Sequence, residues 1–251
     1  MKIRFMTFNV QHFRLYREPS ADRISIPEFA DAVRCLNPDI LTLNEVRGEG
    51  PNPKYTGQTS ALAGELGYFA FFAPAFTVPD RNGPAGPYGN AILSRYPLLH
   101  PEIVPIPDPA DRAPGKGFET RAVGKADVLL PDWRTVTVLT THFALNPSEQ
   151  ANAAAVLTGL IDGTSHPVIL AGDLNVTPEN PVLAPIRERL RDTANVLRGE
   201  ALSFPSDRPD RKIDYVFCSR DLDVGFACIP PLYLSDHRPV LAEFSPGDPR
   251  L

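Results

Sequence analysis

Cysteine is scarce. Cys35, Cys218 and Cys228 are the only three in 251 residues. An odd and sparse set does not make a disulfide framework. Reduced, mostly buried thiols of a cytoplasmic protein are expected. No apolar run is long enough to span a bilayer, so no integral membrane segment is expected. Met1-Lys2-Ile3-Arg4-Phe5 enters a strand pattern directly, so no signal peptide is expected in this sequence. A secreted form with its signal already removed remains open. An excess of positive charge is missing too. The formal charge of −5 argues against a broad basic nucleic-acid footprint, though not against a local basic groove. Repeats, charge blocks and a linker between two cores are also absent. One domain over residues 1–251 is the expectation.

Proline, in contrast, is abundant, with 28 residues. Many fall in clusters such as Pro51-Asn52-Pro53 and Pro105-Ile106-Pro107-Asp108-Pro109, which read as stiff connectors. Between them run short apolar segments. Strands are predicted over residues 2–10, 39–44, 68–72, 88–94, 98–105, 122–130, 135–142, 168–174, 213–218, 224–229 and 240–244. The segments 88–94 and 98–105 read as neighbours, and 122–142 as a hairpin around Pro131-Asp132-Trp133. Helical spacing marks 26–36, stopped by Asn37-Pro38, and 59–66, stopped by Gly67. A longer helix spans 148–160 with Ser148 as its cap. Thr177-Pro178-Glu179 reads as another helix start. Strands and helices mix without strict alternation, which suits two packed mixed sheets with outer helices.

Polar residues recur at the ends of these apolar strands. Asn9 is a turn former or an oxygen that orients a metal-bound water or phosphate. Glu45 is a loop residue paired with Arg47 or a ligand for a hard cation. His142 is structural or a donor to a phosphate oxygen. Asp173 and Asn175 flank Leu174, and strand alternation would put them on one side, able to grip water, phosphate and metal. Asp214 sits inside an apolar strand and needs compensation, from His237 or from Lys212 or Arg211. Asp236 is a candidate metal ligand and His237 a candidate base. Asn90 and Arg121 are secondary candidates outside this set.

The segments Thr7-Phe8-Asn9, Leu43-Asn44-Glu45-Val46, Gly89-Asn90-Ala91-Ile92-Leu93-Ser94-Arg95, Thr141-His142, Gly172-Asp173-Leu174-Asn175, Ile213-Asp214-Tyr215 and Ser235-Asp236-His237 span almost the whole chain. In that order they resemble the endonuclease/exonuclease/phosphatase superfamily, which includes apurinic-site endonucleases, pancreatic-type deoxyribonucleases and neutral sphingomyelinases. The resemblance implies a four-layer α/β sandwich of the α+β class, with two mixed sheets between helices. It implies Glu45 as principal Mg²⁺ ligand, with Asn9 and Asp236 assisting and Mn²⁺ able to substitute. Asp173 and Asn175 would position water and phosphate, and His142 would touch the phosphate. Asp214 would orient His237, with either Asp173 or His237 as general base. Asn44 stands where many members carry Gln.

The function expected from this resemblance is metal-dependent hydrolysis of a phosphoester, foremost a phosphodiester, by in-line attack of water. Substrates of this kind include small metabolites, phospholipids and nucleic acids. A DNA or RNA nuclease is the near alternative, and a catalytically inactive binding module the distant one. Loops at 14–23, 48–58, 78–87 and 105–117 are expected to surround the site and select the substrate.

Overall fold

Successive side chains of a strand point to opposite faces, so a strand buried on both faces must feed two cores. That pattern organises the whole molecule. The computed structural model describes residues 1–18, 23–50, 57–80, 83–113 and 117–246. Among them lie strands β1 (Ile3–Asn9), β2 (Ile40–Arg47), β3 (Phe69–Asp80), β4 (Gly83–Ser94), β5 (Leu98–Pro105) and β6 (Ala122–Leu129). β7 (Thr135–Thr141), β8 (Val168–Asp173), β9 (Arg191–Asp192), β10 (Asp214–Cys218), β11 (Leu222–Cys228) and β12 (Val240–Pro246) complete the strands. The helices are α1 (Ile26–Leu36), α2 (Gln58–Leu66), α3 (Pro147–Asp162) and α4 (Ala184–Arg189).

The strands form two six-stranded mixed sheets, ordered β11-β12-β1-β2-β4-β3 and β5-β6-β7-β8-β10-β9. Phe5, Ile40, Ile92, Val138, Ile169 and Val216 fill the core between them. The adjacent Met6, Leu41 and Leu93 face the other way and pack with Phe29, Val33 and Leu62 of α1 and α2. On the second sheet Leu139, Leu170 and Phe217 pack outward against Ala153, Leu157 and Ile186 of α3 and α4. The result is the expected four-layer sandwich. Each such aliphatic or aromatic side chain contributes about 1.5–3 kcal/mol when fully buried. No helix among the described residues is long and apolar enough to cross a membrane.

Helix α1 ends as its sequence suggests. Asn37 adopts φ 53° and donates its backbone N–H to Val33 O, and Pro38 cannot continue the helix. Gly67 closes α2 at φ 69° in the same way. Other local expectations fail. The cap of α3 is Asn146, and Ser148 lies inside the helix. Thr177-Pro178-Glu179 forms a turn, with a 3₁₀ turn (Pro181–Leu183) and α4 following. Strand β3 runs well beyond residue 72. Its prolines are tolerated because β3 is the edge strand and its register shifts between Pro74 and Phe76. Most of the expected loop 78–87 is therefore a β3–β4 hairpin. β4 and β5 are not neighbours, since they belong to different sheets. The link Arg95-Tyr96-Pro97 crosses from one sheet to the other. Parts of the four expected substrate loops, at residues 19–22, 51–56, 81–82 and 114–116, lie outside the described residues.

Candidate active site

Strand directions gather the polar ends at one rim. β1 and β2 are parallel, with Asn9 opposite Asn44. β7 and β8 are also parallel, so Thr141-His142 and Asp173 end together. β10 runs antiparallel to β8 and begins there, with Asp214 opposite Asp173. β12 runs antiparallel to β1, with Val240 opposite Thr7, so the preceding Asp236-His237 reaches the same rim.

Asp173 is the centre of the cluster. It is 1% exposed. Its Oδ2 accepts from Asn9 Nδ2 at 3.1 Å and lies 3.4 Å from His142 Nε2 and 3.6 Å from His237 Nε2. Asn9 Nδ2 also donates to Glu45 Oε1 at 3.1 Å. Asn9 therefore joins two carboxylates through its nitrogen, while its oxygen accepts from Gln11 N at 3.2 Å. His237 Nδ1 donates to Asp214 Oδ2 at 2.8 Å. Ser203 Oγ donates to the same oxygen at 2.6 Å. Asp214 Oδ1 is buried with no hydrogen-bond partner among the described residues. The alternative partners of Asp214 are engaged elsewhere, Lys212 with Asp192 and Arg211 with Asp210. The Phe204 ring packs on His237, with centroids 4.7 Å apart.

Asn175 reaches the site by another route than strand alternation. β8 ends at Asp173, and Asn175 takes φ 52°. Asn175 N donates to Asp173 Oδ1 at 2.9 Å, an Asx turn that swings the amide toward His142. Its Nδ2 donates to Phe143 O at 2.8 Å and lies 3.0 Å from His142 Nε2. Glu45 is lifted out of β2 by a left-handed φ of 63° at a register shift against β4. Its Oε2 accepts from Tyr88 Oη at 2.8 Å. Asp236 Oδ2 accepts from Gln11 Nε2 at 3.1 Å. Gln11, His12 and Phe13 all have positive φ, a costly turn that aims Gln11 at this carboxylate.

The electrostatics follow from burial. Burial, reinforced by the charge of Asp214, lifts the Asp173 carboxyl to about 7 against the pull of His237 and the hydrogen bonds from Asn175 and Asn9. Burial alone would lower the His237 ring, but Asp214, by charge and hydrogen bond, outweighs it and lifts the ring to about 10, with Asp173 and Asp236 adding to the rise. His142 goes the opposite way. Burial, then Arg121 and His237, hold it well below the usual imidazole range.

Asp173, Asp214 and His237 each offer a ligand atom within 4.8 Å of one another. The hydrogen bonds described for Glu45 and Asp236 come from neutral donors, namely Asn9, Tyr88, Gln11 and Ser235. An all-oxygen set of this kind suits a hard divalent cation.

Several structural roles escaped the sequence reading. Asn44, fully buried, ties the two sheets together. Its Nδ2 donates to Asn90 Oδ1 at 2.8 Å and to Thr141 O at 2.9 Å, and its Oδ1 accepts from Asp173 N at 2.9 Å. The only signal was a second polar residue before Glu45. Gly172 is forced by the same closeness, since a Cβ there would lie 1.9 Å from Thr141 O. Ser203 and Gln11 gave no signal at all.

Fold and rim together define a four-layer α/β sandwich with its polar residues gathered at one end. A sequence model of the Endonuclease/Exonuclease/phosphatase family matches residues 6–237, and the chain belongs to that family, whose members are phosphoester hydrolases. The chain is 26% identical over 237 residues to the uncharacterized protein YbhP of Escherichia coli strain K12, covering 88% of each chain. An endonuclease/exonuclease/phosphatase of Beutenbergia cavernae superposes with a TM-score of 0.80 at 26% identity, covering 98% of this chain and 72% of that one. The mannosyl-6-phosphatase of Bacteroides thetaiotaomicron superposes at 0.74 with 16% identity, covering 97% and 99%, a likeness of fold alone.

Proposed function

We propose that the chain is a divalent-metal-dependent phosphodiesterase. Glu45 and Asp236, with Asn9 through its oxygen, would hold Mg²⁺, and Mn²⁺ would replace it. When bound, the cation supplies Lewis-acid neutralisation of charge on the phosphoryl group. Water held beside Asp173 attacks phosphorus in line, the P–O bond to the leaving alcohol breaks on the opposite side, and the leaving oxygen takes up a proton from solvent. Asp173 is the proton acceptor of the buried pair in this reading, because burial and the charge of Asp214 raise its carboxyl while Asp214 holds the proton on the His237 ring. Asp214 holds the His237 ring from behind. The resulting imidazolium faces Asp173 and offsets negative charge as the proton moves. His142 Nε2 and the Asn175 amide serve the phosphoryl oxygens.

One observation carries this reading. A single oxygen, Asp173 Oδ2, lies within 3.6 Å of two imidazole nitrogens and of the amide that also holds Glu45. Two imidazoles and an amide meeting on one carboxylate oxygen put groups able to move a proton and to offset charge within reach of a single water.

The test is hydrolysis of DNA, RNA, sphingomyelin, phosphoinositides and small phosphomonoesters and diesters with Mg²⁺ or Mn²⁺, with and without chelator. Turnover should require the cation. Glu45→Ala and His237→Ala should each lose at least about 100-fold in kcat. Turnover that ignores chelator, or full activity in both variants, would reject the mechanism. A steep loss of affinity with salt would mark a nucleic-acid substrate, and a shallow one a small ester.

A further inference from the structure

We infer that Arg121 is a positioning residue that fixes His142 in the tautomer with its proton on Nε2, aimed at the reacting phosphate. The inference rests on the phosphoesterase reading above, and concerns a residue outside the expected catalytic set. Arg121 is 8% exposed. Its Nη1 lies 3.4 Å from His142 Nδ1. Its Nη2 is ion-paired with Glu119, and its guanidinium sits 5.7 Å above the Phe76 ring. The fork is therefore held from two further sides.

A guanidinium has donors and no acceptor. A neutral imidazole has one donor nitrogen and one acceptor nitrogen. His142 also meets a donor at its other nitrogen, since Asn175 Nδ2 lies 3.0 Å from Nε2. Both donors cannot be accepted at once. A charge-assisted bond is roughly twice as strong as a neutral one. Asn175 Nδ2 already has another acceptor in Phe143 O at 2.8 Å. Arg121 therefore takes the lone pair at Nδ1, and the ring proton goes to Nε2. There it points at Asp173 Oδ2, 3.4 Å away, the side from which a phosphoryl oxygen would accept it. Among the described residues, Arg121, Asp173, His237 and Asn175 are the charged and polar groups that face the ring. Burial and the Arg121 charge keep the ring neutral, which a tautomeric choice requires.

The direct test is long-range ¹H–¹⁵N correlation of the metal-free wild type, with His142 assigned by comparison with His142→Asn. Nε2 should read as protonated and Nδ1 as a bare acceptor. A proton on Nδ1 in the wild type overturns the proposal without any variant and without any substrate. In Arg121→Met the ring should move to the Nδ1–H form or a mixture. Its kcat should fall by about 10- to 100-fold with KM changing much less. Arg121→Lys, which still offers a donor, should retain the wild-type tautomer and recover most of that loss. An Arg121→Met protein with the wild-type tautomer and unchanged kcat would refute the role. If the wild type hydrolyses none of the esters tested, the proposed function fails while the tautomer reading still stands or falls by its spectrum.

Discussion

Asn44→Asp changes one atom and should expose how the two sheets are joined at the site. The side chain keeps its shape, and its Oδ1 can still accept the Asp173 N–H. What it loses is the amide that donates to Asn90 Oδ1 and Thr141 O. Each buried acceptor left without its donor costs about 1–3 kcal/mol. An ionised carboxylate in place of the amide would face both oxygens at a position with no solvent exposure, so the new carboxyl should have a raised pKa. Protonated, it can restore one donor. The loss should therefore be about 1–3 kcal/mol near pH 4, close to the unfolded pKa. It should grow by about 1.4 kcal/mol for each unit between the unfolded pKa and either the ambient pH or the raised folded pKa, whichever is lower. A total of about 4 kcal/mol near pH 8 corresponds to a Tm drop of roughly 8–16 °C in a chain of this size. Thermal or urea unfolding of wild type and variant in chelator, at both pH values, measures it. A loss below about 1 kcal/mol near pH 8, or the same loss at both pH values, would refute the staple.

The metal-free protein should lose stability as pH rises. The folded state holds the Asp173 proton to about 7 instead of 3.8, and the His237 proton to about 10 instead of 6.5. Both groups bind protons more tightly folded than unfolded, so their share of stability falls across that window. Scanning calorimetry with chelator should show this slope, and Asp173→Asn/His237→Gln should flatten it. A wild-type slope no steeper than the double variant's would contradict the assignment. Gly172→Ala should cost at least about 3 kcal/mol, because the clash is with the backbone carbonyl of Thr141 and φ is +144°. A soluble variant with a wild-type melting curve would argue against that closeness. Native protein should react with a thiol reagent at exposed Cys35, and not at buried Cys218, whose thiol is pushed up by burial to about 11. Peptide mapping after labelling reads this directly, and rapid modification of Cys218 would mean that the inter-sheet core opens.

Much of the architecture was legible locally. Helix α1 was bounded to the residue by its apolar spacing and by Asn37-Pro38, since a left-handed cap and a missing N–H act within a few residues. The hairpin β6–β7 was equally plain. The partnership of Asp214 with His237 was legible as a need, because a carboxylate in an apolar strand must be compensated. Which of several candidates compensates it was decided only when Lys212 turned to Asp192 and Arg211 to Asp210.

By itself the amino-acid order determined where most of the strands lie, which faces are apolar and which polar residues end the strands at the rim. Those are properties of hydrophobic period, turn residues and burial cost, and they act over short stretches of chain. Tertiary structure alone decided that β4 and β5 lie in different sheets, that Asn44 spans both, and that Arg121 stands behind His142. Such facts depend on the register of strands distant in sequence, where a few donors and acceptors must meet to within tenths of an ångström, and no local pattern records that meeting.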